Sequence, residues 1–209
     1  MARAGTWGGR TAEQRRAERR ERMVSAAIDL WREQGWTGVT MRAVCASASL
    51  NDRYFYAEFG DRDGLLVAAW ENVRDDMLSR LTVAFAENID RTPGEIARIA
   101  AEVVVRRMTE DPQYARILLM HHGGSTALEQ CRSAALQLTA GLVVAAAQPF
   151  LRPDADQVGL RMDAIVGVGG FVELISAWQA GAIDCDGQEI VDQTVRIATT
   201  FGERYLAAP

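Results

Sequence analysis

Hydrophobic positions along the chain recur at spacings of three and four residues almost from end to end, the repeat of one buried helix face. Val24, Ala27, Ile28 and Trp31 share one face of a first segment, and Leu66, Trp70, Val73, Met77, Leu81 and Ala84 line a longer one. The two-residue alternation of a half-buried strand is nearly absent. Helix-start signals punctuate the pattern: Thr11…Gln14, Thr92…Glu95, Thr126…Glu129, Asp154…Gln157 and Asp186…Glu189 each put a capping side chain three residues ahead of Glu or Gln. Such a cap satisfies a backbone N–H that the helix itself leaves unpaired. Pro93 follows Thr92 and Pro112 follows Asp111, where a missing N–H does no harm. The expected helices are 12–34, 41–47, 52–58, 62–88, 93–110, 112–121, 127–149, 155–180 and 187–206, about nine in all. The fold class is all-α.

Composition narrows the class further. The chain has 209 residues, 48% hydrophobic and 24% charged, enough apolar material for a real core. Its 3 cysteines, Cys45, Cys131 and Cys185, form no CxxC pair, so neither a disulfide scaffold nor a zinc module is expected. The start, Met1 to Arg22, is arginine-rich without an apolar stretch after it, unlike a signal peptide. The longest apolar run, around Leu142 to Ala147, is short for a membrane span. These features predict a soluble, cytoplasmic chain without membrane association.

Charge divides the sequence. Residues 1–62 hold 11 arginines against 8 acidic residues, and residues 63–209 hold 12 against 20, so +3 and -8 make up the net charge of -5. A basic first third on an acidic remainder fits a polyanion-binding end, and equally an ordinary basic tail. Lysine is absent; every basic side chain is an arginine able to engage phosphate or guanine with two N–H groups.

The short predicted helices carry the most information. Thr40 is placed to cap a helix with Met41, Val44 and Cys45 inward; a turn follows at Ala48–Leu50; Asn51 then caps a second helix with Phe55 and Phe59 inward. Two short helices crossing steeply through a tight turn form a helix-turn-helix, with the second presented to a DNA major groove.

This stretch resembles the TetR (tetracycline repressor) family of bacterial one-component regulators. The matching residues are Trp31-Arg32-Glu33-Gln34-Gly35, Val39-Thr40-Met41-Arg42, Tyr56-Ala57-Glu58-Phe59, and Arg62 with Leu65-Leu66. Trp178-Gln179-Ala180-Gly181-Ala182-Ile183, with Asp186 after it, also looks like the family's junction between its last two helices. Two departures stand out. Ser49 replaces the family's turn glycine, so the turn is expected to cost up to ~1–2 kcal/mol of left-handed strain. Asn51-Asp52-Arg53-Tyr54 opens the recognition helix where relatives more often have a small or lysine-bearing start.

The resemblance implies a helix-turn-helix DNA-binding domain over 11–62 and a ligand-binding and dimerisation domain over 63–209. It implies a homodimer through helices 155–180 and 187–206, double-stranded DNA with a palindromic operator as partner, and a small apolar or amphipathic effector. Repression, relieved by the effector, is the expected role; activation, or DNA binding without an effector, are the alternatives.

The DNA-contacting set is Thr40, Arg42, Asn51, Asp52, Arg53, Tyr54, Tyr56 and Arg62. Arg53 and Tyr54 fall opposite Phe55 and Phe59, and arginine to guanine is the commonest specific base contact. Asp52 can accept from cytosine or simply suit the helix N-terminus. Tyr56 can reach a phosphate while its ring packs inward. Thr40 and Arg62 sit at helix starts suited to phosphate. The arm Arg15–Arg22 either adds DNA affinity or is a solvated helix extension.

The remainder shows no catalytic constellation and implies no cofactor or metal. His121 and His122 are adjacent on a helix and point about 100° apart, poor geometry for one ion. Gly167-Val168-Gly169-Gly170 lies within a helical run, not after a strand, so it is no phosphate loop. By resemblance and composition, an effector pocket is expected to draw on Trp70, Val104, Met108, Tyr114, Leu118, His121, Cys131, Leu138 and Trp178. Ile165, Phe171, Leu174, Val191, Val195 and Phe201 are expected in the dimer interface.

Overall fold

The computed structural model describes residues 11–88, 90–120 and 122–207. Among these residues the chain forms nine α-helices: α1 (Ala12–Gln34), α2 (Met41–Ala48), α3 (Asp52–Phe59), α4 (Arg62–Ala86), α5 (Pro93–Glu110), α6 (Pro112–Leu118), α7 (Thr126–Ala147), α8 (Gln157–Gln179) and α9 (Gly187–Gly202). Short 3-10 turns occupy Trp36–Gly38 and Gln148–Phe150. The all-α reading stands. Contacts divide the chain into a first unit ending at Asn72 and a second beginning at Val73, so the division falls inside α4.

Local chemistry explains most of the helix starts. Thr11, Thr92 and Asp186 each form a full capping box with Gln14, Glu95 and Glu189. Thr40 accepts from the Ala43 N–H and Asn51 from the Tyr54 N–H. Two expected caps move. Ser125, not Thr126, caps α7, and Asp156, not Asp154, caps α8 by accepting from the N–H groups of Val158 and Gly159.

In the first unit the core gathers Met23, Val24, Ala27 and Trp31 of α1, Val39, Val44 and Ala48, Phe55 of α3, and Leu65 and Leu66 of α4. The turn between α2 and α3 rests on Ser49 at φ 52° and ψ 48°, the left-handed region expected for it. The Leu50 N–H closes the turn onto the Cys45 carbonyl at 3.0 Å and the Ser49 N–H onto Ala46 at 3.2 Å.

In the second unit α5 packs along α9 and α7 along α8. α5 buries Ala101, Val105 and Met108; α9 buries Ile190 and Val191. Gly187 permits their approach, because a Cβ there would meet Val105 Cγ1 at 2.8 Å. Arg98 of α5 also pairs with Asp192 of α9 at 2.8 Å. α9 stops at Gly202 rather than 206, because the chain beyond it turns to pair with the α7–α8 connection. The Arg152 N–H donates to the Tyr205 carbonyl at 2.9 Å and the Ala207 N–H to Phe150 at 2.8 Å.

Candidate nucleic-acid interface

Eight residues are too few for a helix to persist by propensity alone, so α3 depends on what it buries. Phe55 is the anchor: it is fully buried, with the ring of Phe59 at 5.7 Å and that of Tyr56 edge-on at 5.6 Å. Burying such a ring contributes about 1.5–3 kcal/mol. With Phe55 inward, helical geometry turns Arg53, Tyr54, Tyr56 and Ala57 away from it, and all four are exposed, as is Asp52 at the open first turn. Arg42 of α2 and the cap residues Thr40 and Asn51 are exposed as well.

Seven of the eight expected DNA-contacting residues therefore lie on accessible surface of the head. Tyr56 is more open than expected: it is 57% exposed and only an edge of its ring meets Phe55. Asp52 sits in the first turn of α3, where its charge complements the helix N-terminus. Burial first, and the Asp52 carboxylate second, push the Cys45 thiol above its ordinary range.

Arg62 is placed differently from the rest. Its Nε donates to the Val39 carbonyl and one terminal nitrogen to the Trp36 carbonyl, both at 2.6 Å, and its guanidinium lies 5.3 Å from the Trp36 ring centre. These contacts tie the start of α4 to the loop ahead of α2. The expectation that Arg62 faces phosphate overlooked carbonyls more than 20 residues earlier in the chain, which no local spacing reveals.

The arginine-rich arm is a helix, but it is not merely solvated. Arg16 Nε donates to both carboxylate oxygens of Glu58 at 2.9 and 3.0 Å. The Arg19 guanidinium stacks 4.5 Å from the Tyr54 ring centre, and that of Arg20 lies 5.4 Å from Phe59. Arg22 donates to the Ala48 carbonyl at the turn. Sequence reasoning missed these contacts; the available signal was the three- and four-residue spacing that puts Arg16, Arg19 and Arg20 on one side of α1.

The expected effector-pocket residues scatter. Trp70, Met108 and Tyr114 are buried; Val104, Leu118, Cys131 and Trp178 are half-buried; His121 lies outside the described residues. Leu138, at 54% exposed, faces away from its own core and so lines no interior wall. The Tyr114 hydroxyl donates to the Val73 carbonyl and lies 3.1 Å from the Asp76 carboxylate, while Arg107 covers its ring at 4.1 Å. Burial, then the Asp76 charge, push its phenol far above the ordinary range. Trp178 donates from Nε1 to the Cys185 carbonyl at 3.0 Å and packs beside Gly187.

Two open concavities do occur in the second unit. One of about 530 Å³ is lined by Arg98, Asp192, Val195, Arg196, Thr199 and Thr200. The other, of about 410 Å³, includes Asp76, Ser79, Arg80, Val83, Val103, Arg106, Arg107 and Glu110 from α4 and α5. None of the expected pocket residues lines either. Among the described residues, no group of three or more His, Cys, Asp or Glu is placed to hold a metal ion.

Comparison with known proteins agrees with this geometry. Residues 23–69 match the family model described as bacterial regulatory proteins, tetR family. Over 58 residues the chain is 36% identical to the HTH-type transcriptional regulator HbdR of Aromatoleum sp. (strain CIB), covering 28% of this chain and 25% of that protein. The chain thus matches about a quarter of this curated relative's length. Among solved structures, a transcriptional regulator from Rhodococcus sp. Rha1 superposes with a TM-score of 0.69 at 16% identity, over 91% of this chain and 99% of that one. The multidrug binding protein EbrR, solved with imidazole, gives 0.68 at 19% identity over 100% and 99%. Those two likenesses establish the fold, and the match over 23–69 falls on the helix-turn-helix itself. The head over residues 23–69 is thus similar to that of the TetR family of bacterial regulatory proteins, and the whole chain shares the fold of these solved regulators.

Proposed function

We propose that this protein is a homodimeric transcriptional regulator that reads a palindromic site in double-stranded DNA with α3 and releases it on binding a small amphipathic effector. The observation that carries the reading is the outer face of α3: Arg53, Tyr54 and Tyr56 exposed together while Phe55 locks the opposite face into the head. Arginine supplies paired donors to guanine and tyrosine a hydroxyl to phosphate. The family's members are transcriptional regulators rather than enzymes, and the sequence likewise offers no acid–base or nucleophile arrangement.

Two copies are needed because one two-turn helix spans only a few base pairs; paired half-sites about 34–36 Å apart, or multiples of that, multiply the affinity. Support for a second copy comes from apolar side chains left in solvent. Val158, Met162, Ile165 and Val166 recur along α8, and Leu138, Leu142 and Val143 along α7. The segment Thr126–Phe150 is long and apolar enough to cross a membrane by length and composition, with 6% of its apolar stretch buried. A twin molecule covering these helices accounts for that exposure. α9 contributes Ile197, whereas Val191, expected at the interface, is buried within its own protomer.

The effector is proposed to occupy the α4–α5 groove, whose arginines and valines suit an amphipathic acid. α4 contributes residues to both units, so it is the element through which such binding reaches the head. The ligand must prefer the released state, with a coupling of ~1–3 kcal/mol. A DNA-reading role places the chain in the cytoplasm.

Selection of bound duplexes from a random pool is the test. A palindrome should emerge, and a screen of amphipathic acids should find one that frees it. Recovery of sequences without dyad symmetry, or of none, would overturn the reading.

A further inference from the structure

From the contacts between α1 and α3 we infer that Arg16 is a positioning residue for DNA recognition: through Glu58 it sets the pose of α3, and it does not itself grip DNA. This rests on the reading of α3 as the DNA-contacting helix. α3 has one fully buried side chain, Phe55, and a single anchor leaves a two-turn helix free to roll about it. The second anchor is ionic. The Glu58 side chain is 5% exposed, and both its oxygens receive the Arg16 N–H, whose own side chain is 63% exposed.

The pair spans 42 residues of sequence, so it fastens the far end of α3 to the first half of α1. Arg19 on Tyr54 and Arg20 on Phe59 continue the same seam, and Arg22 holds the turn at Ala48. The arrangement answers a second need. Glu58 is an acid on the helix meant to meet a polyanion, and Arg16 neutralises it from behind. Arg53 and Tyr54 then approach the groove at a fixed angle, with their neighbouring carboxylate already compensated.

The experiment uses full-length chain and the duplex selected above, beside an unrelated duplex, over a range of salt. Arg16→Ala should cut the ratio of selected to unrelated affinity about fivefold. The slope of log affinity on log salt should stay as in the unmodified protein. Glu58→Gln should lower the ratio similarly, and the double variant should be no worse than the poorer single one. Exchange of the two, Arg16→Glu with Glu58→Arg, should recover part of the loss. The ratio is the useful readout because a fraction of misfolded protein lowers both affinities together and leaves it unmoved.

A direct phosphate contact predicts something else: Arg16→Ala would weaken both duplexes alike and lower the slope by about 0.9, whatever stands at position 58. That result, additive losses, or an unchanged ratio would overturn the inference. If the unmodified chain selects no duplex, the DNA-reading proposal itself fails, and this inference with it. A failure confined to the variants leaves that reading intact.

Discussion

Two exposed surfaces of this protein differ in kind. On α3, solvent meets Arg53, Tyr54 and Tyr56, each an apolar stem or ring ending in a hydrogen-bonding tip. On α8 it meets Val158, Met162, Ile165 and Val166, which have nothing polar to offer. Water tolerates the first indefinitely and any partner for it must outbid water bond by bond. The second is unfavourable in water at about 25 cal/mol per Å², so its partner is held by exclusion of solvent. Under the proposed function the two surfaces divide the work: one contact that salt and ligands would undo, and one that would persist while the first is made and broken.

The sharpest way to separate the two surfaces is to remove the support of one. Phe55→Ala should destabilise the head by about 3–5 kcal/mol and abolish DNA binding. The proposed dimer should persist in sedimentation, because α8 does not depend on Phe55; dissociation would show that the surfaces are not independent. Next in size, Met162→Asp should destroy the dimer, a loss of ~2 kcal/mol or more in association, seen as monomers by sedimentation. On a face open to solvent in the native state the same change would stay within about 0.5 kcal/mol of stability and leave the mass unaltered.

Arg53→Ala should lower discrimination by ~1–3 kcal/mol in competitive binding to single-base variants of the selected site, concentrated at one base pair. A uniform drop across all variants would make Arg53 a phosphate contact instead. The smallest effect is expected from Ser49→Gly. Relief of left-handed strain, offset by the greater freedom of glycine when unfolded, should raise head stability by ~0.5–1 kcal/mol in thermal melts. Operator discrimination should be unchanged.

Much of this molecule was readable because its determinants are local. Capping boxes at Thr11, Thr92 and Asp186 need only four residues to act, and the left-handed backbone at Ser49 was expected because it stands where the resembling family has a turn glycine. The inward and outward faces of α3 follow from periodicity alone. What could not be read depends on distant chain. Arg62 turns towards the Trp36 and Val39 carbonyls, Arg16 finds Glu58, and α9 ends early because Leu206 bridges Leu151. The expected pocket set was the least legible: apolar and aromatic residues such as Met108, Tyr114 and Trp178 look alike in sequence whether they line a cavity or fill one. Here Tyr114 is held by Val73, Asp76 and Arg107, and Trp178 by Cys185.

The pairing of residues 205–207 with 150–152 sews the last turn of chain to the α7–α8 connection. Backbone amides there lie outside any helix, yet two of them are sequestered as donors to partners more than fifty positions away. In heavy water, the Arg152 and Ala207 amides should take up deuterium on the clock of the second unit's interior rather than that of an open loop, making them reporters of when that unit comes apart.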